Sequence, residues 1–414
     1  MSIKKLLAFQ FILIFLYSTL FSQGPEITSW VINTTGATGY GGIQTNVQQI
    51  NYTNTDVYVS CTCIPGYDIG PWAGNPNTPA NQNFVFKITR NPIENTASKT
   101  ATGLGHIGVW INGVSIFNAK DAFSYNNQDI WHQDAVLVEG PSFDDCLGHP
   151  APNGEYHTHL NPTCLYDDLD DQNHSPIIGY AFDGFPIYGA YGYAATDGSG
   201  GIKKMETSYQ LRNITQRNTL PDGTSLNNQQ QGPAVSSTYP LGYYIEDYEY
   251  IQGFGDLDEF NGRFCITPEY PNGTYAYFVT INEQGGGAYP YVLGPQYYGT
   301  VQSGNTGFQS GHNSIPSSAS EYTPSTSIGE ILDFEDVIIY PNPSEKGQKI
   351  NIRSGKVFEE IQLIDISGKL LLKIRLDNLE SNPVLSKNLE AGSYSLRLIS
   401  PSFTITKKIL ILNN

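Results

Sequence analysis

Apolar and polar positions alternate in short runs along this chain, and helical spacing is rare. Residues 47–60, 84–89, 105–117 and 275–281 read as strands, because residues two apart on a strand share a face. Asn112-Gly113 is a hairpin signal and splits the third run in two. Residues 177–193 hold further strand-like runs, broken at Asp183-Gly184. Residues 122–135 lack the alternation and read as a helical or irregular excursion. The Pro/Gly/Asn-rich stretch 65–83 and the polar, turn-rich stretch 194–240 read as loops. The pattern predicts a mainly β fold.

Composition supports that class. Of 414 residues only 15% are charged, while glycine, proline and tyrosine abound. The net charge of −17 argues against a nucleic-acid partner, since phosphate binding needs a basic face. Residues 1–336 carry 11 basic and 32 acidic side chains, residues 337–414 carry 11 and 7, and the change marks a domain boundary. The Ser/Gly/Thr/Asn-rich residues 301–336 before it have linker composition.

Residues 1–22 have the basic start, apolar stretch and small residues of a secretory signal. No other run is long enough to span a bilayer, so no transmembrane segment is expected in the mature protein. Export places the cysteines where disulfides persist. Cys146 and Cys164 bracket the most unusual stretch of the chain, and a bridge closing such a loop contributes about 3 kcal/mol. For Cys61, Cys63 and Cys265 two readings stand equally: one of the first two pairs with Cys265, or all three are small buried residues.

The bracketed stretch reads CLGHPAPNGEYHTHLNPTC and holds three of the seven histidines; a fourth, His174, follows. Prolines and Asn153-Gly154 make a turn, after which residues 155–160 alternate as a strand. His157 and His159 then stand side by side, while Tyr156 and Thr158 face the other way.

The run GHPAPNGEYHTHLNP resembles the signature of the YHYH family of secreted bacterial proteins, as do HSPIIGYAFDGFPIYGAYG and DLDEFNGRFCITPEYPNGTYAYFVT. The resemblance takes in most of residues 40–300, giving a domain of residues 24–300, and implies no particular reaction. Thr158 replaces the second tyrosine of the family's name, a change expected to cost packing or one phenol hydrogen bond and no ligand. At the other end, YPNPS, DISGK, LEAGSYSLRL and KKIL occur in order within residues 337–414. They resemble the type A sorting domain of proteins exported by the type IX secretion system. That resemblance implies a small Ig-like β-sandwich, the type IX machinery as partner, and a secreted or outer-surface location reached through the periplasm.

The histidines carry the chemistry. His157 and His159, with His149 and His174 as third and fourth ligands and Asp183 as ligand or supporting carboxylate, form a candidate transition-metal site for zinc or copper. Calcium is a second candidate, at the acidic stretches 167–173 and 256–262, although neither fits an EF-hand loop. There is no G-x-S-x-G elbow and no H-E-x-x-H helix. Three readings stand side by side: a metal-dependent enzyme, a metal scavenger, and a non-catalytic binding or adhesion module directed at carbohydrate, with tyrosines and tryptophans stacking on sugar rings. The extracellular ligand and catalytic residues are not named by the sequence.

Overall fold

The computed structural model describes residues 23–307, 309–324, 337–354, 358, 360–365, 370–375, 384–385, 389–399 and 404–412. The signal segment lies outside them. The chain divides into two units, residues 1–324 and 325–414.

The first unit is built on two sheets. In the smaller, Ser320–Tyr322, Val47–Tyr52, Asp56–Cys61 and Phe84–Thr89 lie side by side, all antiparallel. The single strand expected over 47–60 is thus two strands around a turn whose Thr53 hydroxyl accepts from Thr55 and Asp56 N–H groups. Phe84, Phe86 and Ile88 alternate inward on the last strand, each at most 4% exposed.

The larger sheet has eight strands, in the order Gly262–Cys265, Thr274–Phe278, Pro186–Tyr188, Ile177–Ala181, His106–Trp110, Ser115–Phe117, Tyr156–Thr158 and Gly148–Pro150. Its central strands are buried along their whole length, which is why they read as continuous apolar runs. Gly179 is required there: a Cβ would stand 2.7 Å from the Trp110 ring on the paired strand. The tyrosines and tryptophans mostly serve this core. Tyr180, Tyr188, Tyr277 and Tyr297 are fully buried, and Tyr275 stacks on Tyr298 at 3.6 Å.

Three sequence readings change. Residues 122–135 begin inside the strand Lys120–Ser124, which pairs with His132–Asp134, and the helix, Ala135–Glu139, begins where the excursion was expected to end. Residues 194–240 contribute Ile202–Lys204, paired with Tyr191–Tyr193, Tyr209–Leu211, paired with Tyr248–Tyr250, and a buried Arg217. The linker starts later than 301, because residues 301–324 dock on the first unit. Asn305 is fully buried, accepts from Lys87 N at 2.9 Å and donates to Lys87 O at 2.6 Å, while Asn313 N donates to Val85 O at 3.1 Å. Backbone and carboxamide hydrogen bonds hold this segment, so its poverty in apolar residues mimics a linker.

In the second unit a three-stranded and a five-stranded sheet share one core. Ile350 and Ile352 of the first meet Ile361, Leu363, Leu396, Leu398, Ile409 and Ile411 of the second. This is a small β-sandwich.

Candidate metal centre

The last two strands of the large sheet form a hairpin, Gly148–Pro150 with Tyr156–Thr158, in which His149 lies opposite His157. Gly154 makes the turn at φ +82°, where a Cβ would also strike Thr78 O at 2.9 Å. Gly148 is forced by Tyr156, whose hydroxyl would stand 2.3 Å from an added Cβ. That phenol donates to Asp144 Oδ2 at 3.0 Å, and Asp144 also accepts from the backbone of Gly70, Cys146 and Gly148 and from Trp72 Nε1. One buried carboxylate therefore fixes the long loop 65–83 against the hairpin. The Cys146–Cys164 disulfide closes the stretch.

On the opposite face three imidazoles converge. His157 Nε2 lies 3.1 Å from His149 Nε2 and 3.2 Å from His159 Nε2. Glu139, at the end of its helix, brings Oε2 to 2.8 Å from His149 Nε2 and 3.6 Å from His159 Nε2. Ligand atoms of these four residues all lie within 4.8 Å of one another, the single such grouping among the described residues.

The other ring nitrogens decide where the protons are. His157 Nδ1 donates to Glu155 O at 3.1 Å and His159 Nδ1 to Asn118 O at 2.7 Å. Ser142 Oγ donates to Glu139 O at 2.8 Å and lies 2.8 Å from His149 Nδ1, which Asn75 Nδ2 also approaches at 3.4 Å. Carbonyl oxygens only accept, so His157 and His159 carry hydrogens on Nδ1 and His157 turns an Nε2 lone pair toward its neighbours, while Glu139 Oε2 accepts from His149 Nε2. Burial, then the neighbouring His159 and His149, push His157 well below the ordinary histidine range, keeping it neutral. Two donors about 2.0–2.1 Å from one ion at angles near 100° would be separated by about the observed Nε2 distances.

The cluster lines a cavity of about 640 Å³, with Leu104, Phe117, Phe123 and Val138 as apolar wall and Asn75 and Asn77 opposite. Phe117 stacks on His157 at 3.8 Å. Although burial opposes its charge, hydrogen bonds from His149 and His159 hold the Glu139 carboxyl below the usual range. Burial, then the Glu139 charge, push nearby Asp121 up to about 6.

Two residues expected at the site lie elsewhere. His174 donates from Nδ1 to Ser175 O at 2.8 Å and sits among Tyr188, Tyr193 and Phe278. It lies 16 residues beyond Thr158, the last residue of the hairpin. Asp183, fully buried, accepts from Tyr277 Oη at 2.6 Å and Gly299 N at 2.8 Å, and so anchors a core turn. Glu139 takes the place expected for them, and nothing in the AVLVE run marks it. Thr158 does face away, accepting from Trp110 Nε1 at 2.8 Å. Cys61, Cys63 and Cys265 are free and buried, so none of them pairs. The acidic stretches serve local turns: Asp170 accepts from Gln172 and Asn173, and Asp258 from Phe260, Gly262 and Tyr275.

The Asp183 assignment carries a stability test. Burial raises its carboxyl to about 6, above its ordinary value, against the hydrogen bonds from Tyr277 and Gly299. Between about pH 4 and 6 the folded protein therefore holds a proton that the unfolded chain has lost, and stability falls as pH rises through that window. The contribution is about 3 kcal/mol. Urea unfolding at pH 4.5 and 6.5 should show this fall reduced in Asp183→Asn; an unchanged pH dependence would contradict it.

Comparison with known proteins now adds to the geometry. A family model described as "YHYH protein" matches residues 85–285. The chain carries a YHYH domain. A second model, described as a secretion system C-terminal sorting domain, matches residues 338–412, marking the chain for the cell surface or for release. No curated protein matches the sequence. Among solved structures the chain is similar to PorZ, a bacterial surface component of the type IX secretion system of Porphyromonas gingivalis. The identity is 10% and the TM-score 0.17, over 91% of this chain and 52% of that one, so the chain spans about half of PorZ's length. No helix among the described residues is long and apolar enough to cross a membrane.

Proposed function

We propose that the YHYH domain is an extracellular metal-dependent enzyme whose ion is held by His149, His157 and His159, with Glu139 as fourth group. The observation that carries this is the convergence of three imidazoles and a carboxylate on one open cavity, with His157 Nε2 3.1 and 3.2 Å from the Nε2 atoms of His149 and His159. Imidazole-rich donor sets suit zinc and copper. Glu139 adds one negative charge to three neutral rings, so a divalent ion would keep a net positive charge. When bound, such an ion supplies Lewis acidity and activates water.

The chain's own residues supply the rest. Carbonyls of Glu155 and Asn118 hold two rings in the ligating tautomer, a support that typically matters 10- to 100-fold in metal affinity. Leu104, Phe117 and Phe123 give the cavity an apolar side. We infer that the protein reaches this location through the periplasm, its tail engaging the type IX machinery.

The test is elemental analysis of the secreted protein purified without chelator, beside a His157→Ala/His159→Ala variant. Close to one equivalent of zinc or copper is expected in the first and none in the second. No transition metal in the unaltered protein, even after refilling, would overturn the reading.

A further inference from the structure

The hairpin does not hold its own histidines unaided. Glu155, whose carbonyl fixes the His157 tautomer, is itself gripped by its side chain. Its Oε1 accepts from Ser115 Oγ at 2.5 Å and from His106 Nδ1 at 2.8 Å. The His106 ring is buried among the edges of Phe84, Phe86 and Phe182. Its second nitrogen, Nε2, lies 2.9 Å from Ser310 Oγ. Ser310 belongs to the docked segment that composition assigns to a linker, and it lies outside the residues matched by the YHYH model.

A serine, a histidine and a carboxylate in a row invite comparison with a nucleophilic triad. The proton inventory argues against it. Ser310 Oγ has Gly307 O at 2.7 Å and Asn305 O at 3.0 Å, and neither carbonyl can donate. Two carbonyl oxygens compete for its single hydrogen, so the hydroxyl is tied into its own segment and is not held for attack by His106. The row is a brace.

We propose that Ser310 and His106 are positioning residues for the metal centre, acting through Glu155 on His157. The inference rests on the metal reading above. A second cavity of about 830 Å³, bordered by His106, Glu155 and Ser310, shares Leu104, Gly105, Phe117 and Ala151 with the histidine cavity. The brace therefore borders the second cavity, which adjoins the histidine cavity through that shared wall. The docked segment thus brings Ser310 to the site, and the functional unit extends beyond the residues matched by the YHYH model.

The test uses the full chain loaded with cobalt(II), whose visible absorption reports ligand geometry. Wild type, Ser310→Ala, Ser310→Thr and Glu155→Gln would be titrated against a competing chelator. Ser310→Ala and Glu155→Gln are expected to weaken cobalt binding about tenfold or more and to shift the visible bands. Ser310→Thr, which keeps the hydroxyl, should restore both. Folding is checked by circular dichroism, and Glu155→Gln keeps the backbone carbonyl if Ser310→Ala unfolds. Unaltered affinity and spectrum in both variants would overturn the brace while leaving the metal centre standing. Failure of the wild type to bind cobalt would instead remove the metal reading, and the brace with it.

Discussion

His157→Ala is expected to abolish metal retention, whereas His174→Ala should retain a full equivalent. His157 is the middle ring of the three, with both other Nε2 atoms within 3.2 Å, so its loss leaves His149 and His159 without the shared donor. We expect affinity to fall by more than about 100-fold, beyond the range for supporting residues. His174 touches none of the cluster; its Nδ1 proton is committed to Ser175 O and its ring to Tyr188, Tyr193 and Phe278. Burial pushes it below the ordinary histidine range, as expected of a neutral packed ring. Metal content by mass spectrometry separates the two variants. Retention of the ion in His157→Ala would sink the assignment, and loss in His174→Ala would reopen the ligand set.

The difference between these two histidines shows what the sequence could and could not reveal. A strand's two-residue period placed His157 and His159 on one face, with Tyr156 and Thr158 on the other, because local geometry alone sets that relation. His149 was legible through the turn that separates it from His157. Glu139 was not, because it enters from a five-residue helix whose direction is fixed by distant groups. Asp134 caps that helix by accepting from Val136 and Leu137, and is itself held by Tyr291 Oη at 2.7 Å, 157 residues away. Ser310 was hidden for the same reason. Its segment docks through hydrogen bonds to Val85 and Lys87, which leave no trace in hydropathy. Alternation found most of the strands and the mainly β class, but not the order in which eight of them pair, since two of the pairings are parallel and join distant strands.

Arg217→Met should cost about 3–5 kcal/mol, the usual penalty for breaking a buried ion pair by removing one partner. Arg217 and Asp247 side chains are both 0% exposed and meet through two bonds of 2.7 Å. The guanidinium also donates to Pro233 O at 2.8 Å and Pro240 O at 2.9 Å, and lies over the Tyr244 ring. Methionine keeps the stem's packing but leaves the Asp247 charge with only the Gly242 and Tyr244 N–H groups. The effect reaches the site by a traceable path. Asp247 ends the Ile245–Asp247 turn, whose Glu246 grips His132 by its backbone N–H at 2.8 Å and its Nδ1 at 2.6 Å. Two residues on, Asp134 caps the helix that delivers Glu139. Because the change reaches Glu139 only through Glu246, His132 and the Asp134 cap, metal affinity in the folded variant should fall by less than the roughly 10- to 100-fold typical of a direct supporting residue. Urea unfolding measures the first effect and chelator competition the second. A stability loss under about 1 kcal/mol would mean that water reaches Asp247, contrary to its burial; an affinity loss as large as that of His157→Ala would mean that Glu139, not His157, dominates the centre.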